Sequence, residues 1–226
     1  MRIAVIIPSR GQIVSKTFEH ILNNLTGLEY RIYWAHGLDI PTCFNKPLET
    51  ALRDSNNTHF WIVEDDMMIP DGTLEEMLDM TEPAVVCDYP VTKDGISHIK
   101  KDSNDDIYFC GTGCLLMTRE FLNEYKKPIF RSDIAFELRG GLYYATDPNP
   151  HAFALHDVLF SMLAYLRGNP IQLCKIKCGQ YKLAEEGAVG VNAGVHKLEL
   201  WDKIKPIEKF SEHKYLAKDS RIYSII

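Results

Sequence analysis

Glu64, Asp65 and Asp66 are three consecutive carboxylates at the end of the apolar run Trp61-Ile62-Val63. Adjacent like charges repel, and a divalent cation or a cationic ligand relieves that repulsion. Oxygen-rich groups of this kind suit hard ions such as Mg²⁺ or Mn²⁺ holding a substrate phosphate. The competing reading is an acidic loop at a strand end, followed by a helix start at Asp71-Gly72. A fourth carboxylate, Asp157, falls in the first turn of a helix expected over residues 155–167, with Val158, Leu159, Met162, Leu163 and Leu166 as its apolar stripe and Gly168 as its stop. The positive end of the helix dipole stabilises an acid there without any chemistry. The same setting also makes a usable general base. Gly111-Thr112-Gly113 interrupts the apolar stretch 107–118, where backbone either approaches a ligand closely or bulges.

Alternating strands and helices must position these groups. Residues 1–8 form a nearly continuous Ile/Val-rich run, the pattern of a strand buried on both faces of a parallel sheet. A turn at Ser9, Arg10 and Gly11 leads to a helix over 13–25 and a strand over 29–34. The pattern repeats as helix 43–53, strand 59–63, helix 72–80 and strand 84–87. Such alternation predicts an α/β domain with a mostly parallel sheet, whose ligands sit at the carboxyl ends of the strands. Pro8-Ser9-Arg10 and Glu64-Asp65-Asp66 are therefore expected on one rim. The chain is expected to be a single domain over 1–226: a nucleotide- and metal-binding half to residue 110, an acceptor-side half over 111–200 and a tail over 201–226.

No stretch approaches the ~18 apolar residues of a membrane span, and the first apolar run is too short for a secretory signal, so a soluble cytoplasmic protein is expected. Six cysteines without such a signal read as reduced thiols. Cys110/Cys114 and Cys174/Cys178 share a three-residue gap that permits zinc, but both pairs lie in apolar strand-like text that favours buried free thiols. The net charge of −6 is uneven: residues 1–150 carry 14 basic and 23 acidic side chains, residues 151–226 carry 11 and 8. The basic last third either faces an anionic partner or forms a solvated surface.

Taken in order, Ile3-Ala4-Val5-Ile6-Ile7-Pro8-Ser9-Arg10, Phe60-Trp61-Ile62-Val63-Glu64-Asp65-Asp66, Gly111-Thr112-Gly113-Cys114-Leu115-Leu116-Met117 and His156-Asp157 resemble the GT-A fold nucleotide-sugar glycosyltransferases. The likeness is greatest to the large inverting, family 2-like group that includes many polysaccharide and glycolipid synthases, and it spans roughly residues 1–170. It implies a GT-A (Rossmann-like) mixed sheet, with Pro8, Ser9, Arg10 and Asn45 near the nucleotide and Glu64, Asp65, Gly111, Thr112 and Gly113 on the donor side. It further implies Asp66 as a ligand to Mn²⁺ or Mg²⁺, Asp157 as the base, and His196 as a late metal ligand. The chain departs from the family where Glu64 replaces the first acid of Asp-x-Asp, where His156 replaces the Glu before Asp157, and where Asn45 lacks its flanking arginine.

The resemblance thus implies transfer of a sugar from a nucleoside-diphosphate sugar, with uridine diphosphate sugars the default, to an acceptor hydroxyl with inversion. A retaining mechanism is the stereochemical alternative. The acceptor class stays open between an anionic glycan, a lipid head group and a modified nucleic acid such as a hydroxylated base in viral DNA, against which the net charge of −6 weighs. Two further readings compete: a sugar-phosphate nucleotidyltransferase, for which Ser9-Arg10-Gly11-Gln12 is a poor signature, and an inactive relative that binds a nucleotide or glycan without turnover.

Overall fold

Every residue of Ile3-Ala4-Val5-Ile6-Ile7-Pro8 is buried, because this strand, β1 (Ile3–Pro8), lies inside a sheet covered on both faces. A computed structural model describes residues 1–9, 11–35, 39–90, 97, 99–139, 142–146 and 156–181. After β1 come α1 (Ser15–Asn24), β2 (Tyr30–Ala35), α2 (Ile40–Leu52), β3 (His59–Val63), β4 (Met67–Met68), α3 (Thr73–Asp79) and β5 (Ala84–Val86). The chain continues through β6 (Ile99–Lys101), β7 (Ile107–Cys110), β8 (Cys114–Thr118), α4 (Arg119–Asn123), β9 (Ala135–Arg139) and β10 (Leu142–Thr146). It closes with α5 (His156–Leu166), β11 (Gln172–Leu173) and β12 (Gly179–Gln180).

Among the described residues six strands make the main sheet, in the order β11-β5-β8-β3-β1-β2. Strands β1, β2 and β3 pair in parallel, as do β5 and β11, whereas β8 runs antiparallel to both β3 and β5. The result is a mixed, mostly parallel α/β sheet flanked by helices, the expected fold class. Helix α2 starts earlier than its apolar periodicity suggests, since Pro41 is well suited to the first turn, where a missing N–H costs nothing.

The apolar stretch 107–118 behaves differently from a single interrupted strand. Its first part, β7, pairs with β6 in a separate ribbon, and its second part, β8, enters the middle of the main sheet. Gly111-Thr112-Gly113 is thus the corner between two sheets. Because β8 is reversed, this corner stands at the same end of the sheet as the carboxyl ends of β1, β3 and β5.

Helix α5 packs on β7, and its Phe160 ring lies 4.8 Å from Phe130 and 5.5 Å from Tyr125. Asn45 braces this aromatic layer from α2. Its Nδ2 donates to Pro41 O at 2.8 Å and Phe130 O at 2.6 Å, while its Oδ1 accepts from Phe130 N at 2.9 Å. Next to it the Phe44 ring meets those of Phe130 and His156 at 5.0 and 4.5 Å, so the bracket also supports the start of α5. Asn45→Ala strips the partner from a buried N–H and C=O of Phe130, and a loss of about 1–3 kcal/mol is expected. Urea unfolding will show it as a lowered midpoint at unchanged slope.

Candidate active site at the carboxyl end of the sheet

The turn after β1 is built by a serine. Ser9 N donates to Ala35 O at 3.1 Å, its Oγ donates to Gln12 O at 2.7 Å, and the same Oγ accepts from Gly11 N at 3.1 Å. The thiol of Cys43 donates to Ser9 O from α2 at 3.4 Å. The hydroxyl therefore shapes a backbone turn beside Pro8, at the end of the strand neighbouring the acid turn.

Each member of the acid turn is gripped by a different element. Glu64 N donates to Gly113 O at 3.0 Å, and Thr112 Oγ1, fully buried, donates to Glu64 Oε1 at 3.2 Å. Asp65 O accepts from Val14 N, at the entry to α1, at 2.9 Å. Asp66 is held from the far end of the chain: Gln180 Nε2 donates to its Oδ2 at 2.9 Å, and Tyr181 N donates to its carbonyl at 2.6 Å. That return segment is β12, which pairs antiparallel with β4 and places the Tyr181 hydroxyl 3.0 Å from His20 Nε2 on α1. All three acids are half-buried.

Their carboxylates do not form a closed three-ligand cage, since among the described residues only a cysteine group brings three ligand atoms within 4.8 Å of one another. A Mg²⁺-like ion is ordinarily held by one or two carboxylates together with substrate phosphates. Asp66, whose Oδ2 is oriented by Gln180, is the carboxylate of the three that suits that arrangement.

Behind the turn lies Tyr89, just beyond the end of β5 and buried. Its hydroxyl accepts from Gly113 N at 3.2 Å. Gly113 has no room for a side chain, because a Cβ there would lie 2.8 Å from both Met67 Sδ and Tyr89 Cζ. The close approach at this glycine is therefore made by two protein side chains. Burial first, then the charges of Glu64 and Asp157, push the Tyr89 phenol well above its usual pKa. The ring thus stands where the acid turn and the start of α5 both act on it.

Asp157 occupies the first turn of α5 as expected and is 5% exposed. Its Oδ1 accepts from Val158 N at 2.9 Å, one of the donors a helix start leaves unpaired. Its charge also reaches Cys110, whose thiol is pushed up chiefly by burial. Chemically, the rim offers the half-buried carboxylates of the acid turn and a nearly buried one, Asp157, whose charge reaches Tyr89.

Pro8, Ser9, Glu64, Asp65, Asp66, Gly111, Thr112, Gly113 and Asp157 all come to this one end of the sheet. Asn45 is turned inward to Phe130, and Arg10 and His196 lie outside the described residues. Tyr89 and Gln180 escaped the sequence reading. Tyr89 was within reach of the strand-end rule, had it been applied to β5 as well. Gln180 carries no local signal, because its place depends on the distant pairing of β12 with β4.

No protein-family model matches the chain, and no curated protein does. Among solved structures, A197 from STIV is similar at 19% identity over 57% of this chain and 71% of its own, with a TM-score of 0.46. No helix among the described residues is long and apolar enough to cross a membrane.

Gly113→Ala forces Tyr89 and Met67 aside, and overpacking of this kind costs about 1–3 kcal/mol. Chemical denaturation is expected to show that loss, with an altered near-ultraviolet dichroism from the displaced ring. Tyr89 also gives an alkaline signature. A phenol whose pKa is raised by folding contributes stability that is intact below its unfolded pKa of about 10 and is lost as pH rises toward the folded value. The fall in unfolding midpoint above that pH is expected to be shallower in Tyr89→Phe. Equal slopes would show that Tyr89 is not desolvated as described.

Proposed function

We propose that this chain is a metal-dependent glycosyltransferase that moves a sugar from a nucleoside-diphosphate sugar to an acceptor hydroxyl. The observation that carries the reading is the meeting of the acid turn and Asp157 around Tyr89 and Gly113, at the end of the sheet where α/β domains bind ligands. Pro8, Ser9, Glu64, Asp65 and the Gly111-Thr112-Gly113 corner then line the donor side. Asp66 is the carboxylate for Mn²⁺ or Mg²⁺, and Gln180 and Tyr181 fix its orientation. The ion, when bound, neutralises charge on the departing diphosphate as a Lewis acid.

Asp157 takes the proton from the acceptor hydroxyl as that oxygen attacks the anomeric carbon, and a single displacement inverts the centre. Analysis of the product anomer tests this, since retention would remove Asp157 from the role. A uridine diphosphate sugar is the default donor. Six free, buried cysteines suit a reducing compartment such as the cytoplasm. One observation favours a second reading, nucleotide binding without turnover: at 5% exposure Asp157 is reached only by an acceptor pressed closely against it.

Thermal unfolding with a panel of nucleoside diphosphates, each with and without Mn²⁺, tests the donor site. A ligand at about a hundred times its dissociation constant adds roughly 2.7 kcal/mol, which raises the midpoint by several degrees in a chain of this length. The shift is expected for one nucleotide, only with the metal, and not in Asp66→Asn. Asp157→Asn is expected to keep the shift and lower turnover about 10²–10⁴-fold. No shift with any pair would end the donor-site reading.

A further inference from the structure

Four cysteines meet at the β8-β5-β11 side of the sheet. The antiparallel register that pairs Val86 with Leu115 continues to Cys87 and Cys114, whose backbones join at 3.0 Å through Cys87 N and Cys114 O. On the other side of β5, the parallel register that pairs Leu173 with Val86 continues to Cys174, whose N donates to Val86 O at 2.8 Å. Cys178 then returns over the sheet end, its N donating to Asp88 O at 2.8 Å. Three adjacent strands and one short loop therefore deliver a thiol each to one place. The Sγ atoms of Cys87, Cys114 and Cys178 all lie within 4.8 Å of one another, and the Cys174 backbone is joined to Val86, the residue before Cys87. None is in a disulfide, and none is more than 5% exposed.

We propose that Cys87, Cys114, Cys174 and Cys178 form a structural zinc site that staples the β11–β12 return segment to the main sheet. A closed tetrahedral site of four thiolates is a standard zinc environment, and the Cys174-x₃-Cys178 loop has a permitted ligand spacing. Zinc–sulfur bonds of about 2.3 Å set sulfurs roughly 3.8 Å apart, so the three clustered thiols have to draw together and the Cys174 side chain has to turn in to complete the site.

A buried donor beside the group favours a metal-bound thiolate here. The indole Nε1 of Trp61, fully buried, has no nitrogen or oxygen partner among the described residues. Trp61 lies two residues before Val63, the cross-strand partner of Cys114, and so on the same face of the sheet, where its N–H is placed to serve a metal-bound thiolate.

The spacing of the sequence pairs thus misassigns one ligand. Cys110 belongs to the other sheet and bonds to Ser161, and Cys87 takes its place. The site is separate from the acid turn in its chemistry, since sulfur ligands select zinc and carboxylates select harder ions. Its existence does not depend on the glycosyltransferase reading.

Metal analysis of the purified full-length chain, repeated after reduction, chelation and re-addition of zinc, tests the proposal. About one tightly held zinc per chain is expected, with exchange to Co²⁺ giving the charge-transfer absorption of tetrahedral thiolate ligation. Cys87→Ser and Cys178→Ser are expected to lose the metal, and Cys43→Ser and Cys110→Ser to keep it. Should the serine variants fail to fold, the cobalt spectrum of the wild-type chain still shows whether four thiolates bind the ion in tetrahedral geometry. A reduced chain that takes up neither ion, or one that carries an iron–sulfur chromophore instead, overturns the zinc assignment.

Discussion

Strand β8 runs against both of its neighbours, and the composition of the rim depends on that reversal. Were β8 parallel, the Gly111-Thr112-Gly113 corner would stand at the opposite end of the sheet from Glu64 and Tyr89. Reversed, it lets Gly113 O accept from Glu64 N while Gly113 N donates to the Tyr89 hydroxyl. One glycine peptide therefore couples the end of β3 to the end of β5. The absence of a Cβ is what allows Tyr89 and Met67 to close on it.

Around that corner the acid turn is clamped by parts of the chain far apart in sequence. Val14 holds Asp65 from the entry to α1, Thr112 holds Glu64 from the corner, and Gln180 holds Asp66 from β12. Donors thus reach the carboxylates of Glu64 and Asp66 and the backbone of Asp65 from three directions, which orders the turn before any ligand arrives. Two of the four clustered cysteines, Cys174 and Cys178, sit on the same return segment that supplies Gln180. A metal there would fix the β11–β12 connection and, through it, the orientation of Asp66.

Much of this was legible in the residues. The buried strand His59–Val63 is bounded as its apolar run predicts, and the strand-end rule located the rim from β1 and β3 alone. Helix α5 and the place of Asp157 in its first turn followed from apolar periodicity and Gly168. What stayed hidden depends on non-local pairing. The shared three-residue gap joined Cys110 to Cys114, but the glycine corner sends them to different sheets, and only cross-strand register reveals Cys87 as the neighbour. The resemblance implied a place near the nucleotide for Asn45, whereas its amide is occupied by the Phe130 backbone 85 residues away. Gln180 lies in text with no periodic signal and gains meaning only from its pairing with β4.

The central claim is that this rim activates a nucleoside-diphosphate sugar. Release of nucleoside diphosphate from a panel of nucleotide sugars, followed for the wild-type chain and Asp66→Asn with Mn²⁺ present or removed, tests it most directly. The account predicts release from one nucleotide sugar that requires the metal and disappears in the variant. No release from any of them, or release that persists unchanged in Asp66→Asn, would contradict it.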